Sequence, residues 1–68
     1  MQAWLTVSDG PTFELAITDD RPAVIAFRQV PADASRETWD ATLVALGFVR
    51  MGDWLLSSSG YRCRVARL

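Results

Sequence analysis

Apolar residues alternate with polar or bulky ones toward both ends of this chain and take up helical spacing only in its middle. From Gln2 to Ser8, Ala3, Leu5 and Val7 recur at every second position, the spacing of one strand face. The segment stops at Asp9-Gly10-Pro11, a strong turn signal. Phe13, Leu15 and Ile17 then alternate with Thr12, Glu14, Ala16 and Thr18. A three-residue turn places Leu5 opposite Leu15 and Val7 opposite Phe13, so pattern and register agree. Asp19-Asp20-Arg21-Pro22 reverses the chain again, and Ala23 to Val30 follows as an apolar run interrupted by Arg28, the pattern of a central strand.

Pro31 ends that run, and Asp33 or Ser35 supplies a helix cap by accepting from an otherwise unpaired first-turn N–H. Glu37 falls near the positive helix end. Trp39, Leu43 and Leu46 form one stripe toward a sheet, with Glu37, Ala41 and Ala45 on the opposite side. Gly47 suits the left-handed residue just past the helix, with Phe48 placed to fold back on Leu43.

Beyond the helix, Phe48 to Met51 and Trp54 to Ser58 fit a tight hairpin around Gly52-Asp53, because glycine first in a two-residue loop suits a type II′ turn. A second hairpin follows with Ser59-Gly60 as its loop. Val49, Met51, Trp54, Leu56, Cys63 and Val65 then share one face, and Arg50, Leu55, Ser57, Arg62 and Arg64 the other. The pattern predicts a single α+β domain over residues 1–68, an antiparallel sheet or sheets with one amphipathic helix, in the order βββ-α-βββ. Each half is a β-meander, and no residue-level repeat relates the two. Whether the last three strands extend the first sheet or pack over it is open at this level.

Size narrows the picture. A chain of 68 residues hides only about 60% of its unfolded surface, so its core is thin. Small domains commonly add disulfides, a metal or a partner subunit. One cysteine, Cys63, forbids an intramolecular disulfide, and the absence of histidine forbids an ordinary Cys/His zinc site. No metal or other cofactor is expected, which leaves association. The missing histidine also removes Ser-His-Asp and Cys-His chemistry. Asp19-Asp20 is the only adjacent carboxylate pair and sits in a turn, where such residues favour water. Asp40 reads as a solvated flank of the helix. The four glycines mark separate turns and no phosphate loop. The chain is therefore read as not an enzyme. Cys63 stands between Arg62 and Arg64, but strand alternation turns those arginines to the other face and leaves Cys63 as a small buried apolar residue.

No apolar run approaches the roughly 20 residues that span a bilayer, and residues 2 to 8 are too short and mixed for a signal h-region, so a cytoplasmic protein is expected. Charge is bipolar: residues 1 to 40 hold seven acids against three arginines, and residues 41 to 68 hold four arginines against Asp53. Arg50, Arg62 and Arg64 on one face suggest a site for nucleic-acid phosphate or for an acidic protein. The acidic first half suggests, more weakly, an inhibitor of the phage or mobile-element kind that imitates nucleic acid.

The strongest functional signal is apolar. If Leu5, Val7, Phe13, Leu15, Val24 and Ala26 face the helix, then Trp4, Ile25 and Phe27 face away from it. One helix cannot cover both faces of a sheet, so the last three strands, a second subunit or a partner must cover these three. The expectation is a noncatalytic protein-interaction or accessory module, homodimeric or bound to another protein through Trp4, Ile25 and Phe27. The alternative is nucleic-acid binding through Arg50, Arg62 and Arg64. Leu46-Gly47-Phe48 and Gly52-Asp53-Trp54 are common local transitions and point to no family.

Overall fold

The computed structural model describes Met1–Leu68 and contains seven elements: β1 (Gln2–Thr6), β2 (Thr12–Thr18), β3 (Val24–Pro31), α1 (Arg36–Ala45), β4 (Phe48–Arg50), β5 (Leu55–Ser57) and β6 (Gly60–Arg67). This is the α+β arrangement expected from the pattern. β1 and β2 pair with Leu5 opposite Leu15. The strands form one six-stranded antiparallel sheet in the order β3-β2-β1-β6-β4, with β5 also on β6. The second meander therefore extends the first sheet and does not fold over it. β1 is central and β3 lies at the edge, which corrects the reading of residues 23 to 30 as a central strand. That run is apolar on both faces, although only the helix-facing one is covered within the chain.

Helix α1 starts at Ser35, whose hydroxyl accepts from Thr38 N at 3.4 Å, and ends before Gly47, which takes the left-handed conformation at φ 96°. Of the two candidate caps, Ser35 is the one used; such a cap contributes about 1 kcal/mol. The helix buries Trp39 and Leu43. It connects β3 at one edge to β4 at the other and packs against both, so the chain crosses the entire sheet over a single face.

The core has 11 buried residues, all apolar: Ala3, Leu5, Leu15, Ile17, Val30, Trp39, Leu43, Phe48, Trp54, Cys63 and Val65. Leu5, Leu15 and Ile17 lie on the helix-facing side together with Phe13 and Ala26, as the alternation predicts. Val7 and Val24 do not join them. Val7 lies just past β1 and is exposed, and a bulge pairs Ile17 with Ala26 but Thr18 with Val24, which puts Val24 on the other face. Burying a leucine-sized side chain contributes roughly 1.5–3 kcal/mol, so this short core is a modest source of stability for a domain of this size.

The segment after the helix departs most from expectation. No hairpin forms at Gly52-Asp53: β4 and β5 lie end to end along β6, with Phe48 opposite Arg67 and Leu55 opposite Arg62. Residues 51 to 54 bulge between them, and Met51 N donates to Arg64 O at 2.8 Å. The bulge has an evident cause. Trp54 turns under the helix to meet Trp39 edge-on, with ring centroids 5.4 Å apart, and Arg50 Nη1 donates to Gly52 O at 2.7 Å. The β5–β6 loop is Ser58-Ser59, with Ser57 opposite Gly60, and not Ser59-Gly60. That shift preserves parity, so Leu55, Arg62 and Arg64 still share a face opposite to Leu56, Cys63 and Val65. The bulge reverses parity in β4, so Arg50 lies beside Val65 on the helix side and Val49 beside Ala66 on the open side.

Candidate functional site

The open face is built from strand register. Phe27 of β3 pairs with Ala16 of β2, Ala16 with Trp4 of β1, Trp4 with Arg62 of β6, and Arg62 with Leu55 of β5. These five residues form one row across the sheet. Phe27 and Leu55, at its ends, are 51% and 52% exposed, and Trp4 and Arg62 are half-buried by neighbours on the same surface. Trp4 Nε1 donates to Thr18 Oγ1 at 2.9 Å, which fixes the indole against β2. On one side of this row lie Gln29, Glu14 and Thr6; on the other lie Val24, Thr18, Gln2 and Arg64.

Trp4 and Phe27 therefore share a face, as the alternation requires, and no element of the chain covers them. Ile25 is the extra residue of the bulge between Val24 and Ala26, 37% exposed at the sheet edge beside that row. Sequence reasoning missed Leu55 and Val24. Alternation already places Leu55 on the face of Arg62 and Arg64, but joining it to Trp4 and Phe27 needs β6 to pair with β1. Val24 is assigned by alternation to the helix side, because the bulge after it has to be placed before its phase is known.

The three arginines proposed to act together are separated. Arg62 and Arg64 lie on the open face without an ion pair, whereas Arg50 lies on the helix side. Its Nε and Nη2 donate to the Asp40 carboxylate at 3.0 and 3.2 Å, and Trp54 Nε1 donates to the same carboxylate at 2.9 Å. The bond to Asp40 raises the Arg50 pKa above its usual value. Asp40 is thus not a solvated flank. It ties the helix to the bulged strand through two donors that the sequence places 10 and 14 residues away. Asp19 accepts from Arg21 N at 2.9 Å and Ala23 N at 2.7 Å, and these bonds, Ala23 foremost, lower its pKa; the Asp19-Asp20 pair is a turn device, as expected.

Cys63 is buried on the helix side, and desolvation pushes its thiol up to about 11 despite the nearby Arg50 charge. Folding therefore gains from the neutral thiol fully below the ordinary value of 9.0, and this contribution is lost as pH rises toward about 11. Alkylation of the folded chain is expected to be slow at neutral pH and to accelerate across that alkaline range. Rapid, complete labelling at pH 7 in a folded sample would place the thiol in solvent.

No helix is long and apolar enough to cross a membrane. Comparison with protein-family models, with characterised proteins and with solved structures finds no match for this chain.

Proposed function

We propose that this chain is a noncatalytic protein-interaction or accessory module of the cytoplasm, which binds a protein surface with the open face of its sheet. The observation that carries the reading is the row Phe27, Ala16, Trp4, Arg62, Leu55, three large apolar residues and an arginine on a face that nothing in the chain covers. Tryptophan and arginine are enriched among the residues that dominate binding energy, and phenylalanine is enriched in interface cores. The nucleic-acid alternative is weakened because Arg50 is engaged by Asp40 on the opposite face, leaving Arg62 and Arg64 alone.

Phe27→Asp and Trp4→Asp are each expected to weaken the chain's stoichiometric protein complex by about thirtyfold or more, the effect of losing a central anchor. Val44→Asp, on the exposed surface of the helix, should leave it intact. Circular dichroism of each variant separates lost binding from lost fold. A folded Phe27→Asp chain that binds normally would overturn the reading. A complex that instead dissolves steeply with salt and survives Phe27→Asp would favour phosphate contacts through Arg62 and Arg64.

A further inference from the structure

The strand order makes the open face symmetric about β1, with β2 and β3 on one side and β6 and β5 on the other. Trp4 stands at the centre of the row, and large apolar side chains, Phe27 and Leu55, stand at its two ends. From this symmetry we propose that the protein occupying the face is a second copy of the same chain, packed face to face about a two-fold axis that runs along β1 through Trp4. The proposal rests on the interaction reading above and names its partner.

Such an axis lays β2 of one copy over β6 of the other and β3 over β5, as in an aligned pair of packed sheets about 10 Å apart. Trp4 then meets its own copy at the axis. Phe27 meets the second copy's Leu55, so both ends of the row become apolar contacts. Ala16 lies beneath the second copy's Arg62, where its small side chain leaves room for the longer one. Glu14 precedes Ala16 by two residues on the same face of β2, about 7 Å away and within reach of that guanidinium. Opposite Glu14 is the second copy's Gly60, which has no side chain to block the approach. Glu14, Arg62 and Arg64 have no ion pair within their own chain.

Charge also selects this axis over the perpendicular one. A two-fold axis across the strands sets Arg62 against its own copy and Glu14 against Thr18, which leaves like charges facing each other without a carboxylate between them. Like-charge contacts across an interface oppose association, whereas the axis along β1 forms the Glu14–Arg62 contact twice. Apart from Glu14, the chain's acids lie in turns, on the helix or in the bulge, so the open face has little negative charge of its own. The size lies at the lower end of what a stable interface needs: five strands about 4.8 Å apart give a footprint on the order of 500 Å² per partner in projection, about 1,000 Å² for the pair before side-chain relief, against roughly 800 Å² per partner for a standard interface. A second core of this kind would supplement the thin first one.

Sedimentation equilibrium of the full chain tests the proposal. The wild-type chain is expected to be a dimer, and Glu14→Arg or Arg62→Glu alone should weaken it by at least about tenfold. A two-fold contact makes a sharper demand. In an equimolar mixture of the two variants, each introduced charge meets its opposite in the other chain, so a heterodimer should form where neither variant dimerises by itself. Circular dichroism confirms that both variants fold. A wild-type chain that stays monomeric at about 0.5 mM, far above any useful Kd, overturns the second-copy proposal. If that monomer still loses a different partner on Phe27→Asp, the interaction reading survives. A dimer unaffected by Glu14→Arg, Arg62→Glu and Phe27→Asp uses another surface, and the proposal fails for this face.

Discussion

Gly60→Ala is expected to cost about 3 kcal/mol or more and to leave most of the chain unfolded, given the roughly 3–5 kcal/mol that a core of this size supplies. Gly60 begins β6 opposite Thr6 and has φ 153°, outside the range favoured by residues with a side chain. A Cβ built there overlaps the carbonyl oxygen of Leu5 and comes within 3.1 Å of Leu5 C and Val7 N. All three are backbone atoms, so no flexible side-chain end can yield. Relief requires β1 and β6 to separate, and that pairing is the only ladder joining the first meander to the second. Gly52→Ala is the control, because nothing lies within 4 Å of the added methyl. Urea denaturation followed by circular dichroism should show Gly60→Ala largely unfolded in buffer and Gly52→Ala close to wild type. Equal midpoints for the two would mean that β6 does not approach β1 this closely.

Leu43→Ala is expected to destabilise the chain by about 2–5 kcal/mol, the usual result of emptying a well-packed site. Leu43 is completely buried and belongs to the same core as Trp39 and Phe48. Alanine is at least as good a helix former as leucine, so the loss measures packing and not propensity. For a domain of this length the change corresponds to a fall in Tm of about 8 °C or more. Val44→Ala, one residue along the helix but 51% exposed, should lie within about 0.5 kcal/mol of wild type. A Leu43→Ala chain that melts with the wild type would mean that the helix does not seat on the sheet through this residue.

How much of the site can be read from the chain alone follows from what each residue depends on. Trp4 and Phe27 sit within regular alternation, so their common face follows from the two-residue period of their strands. Arg50 and Val49 lie just before an irregular segment, and one residue of slip turns each to the opposite face. The slip is decided by Trp54, which is buried against Trp39 and donates to Asp40. The Gly52-Asp53 pair has the local chemistry of a tight turn, and the tertiary contacts of its neighbours override it.

The pattern of residues by itself determined the element types and their order, the Leu5–Leu15 register, the use of a cap near Ser35, the helix end at Gly47 and the presence of an unsatisfied apolar face. These are short-range matters, set by side-chain period, capping and the freedom of one glycine. The tertiary structure alone decided that β6 adds to β1, that β3 is left at the edge, and that Asp40 collects Arg50 and Trp54. Strand order depends on which free edge the chain reaches after its helix, and no local preference encodes that choice. Because the helix carries the chain from one edge of the sheet to the other over a single face, the opposite face remains uncovered by the chain itself.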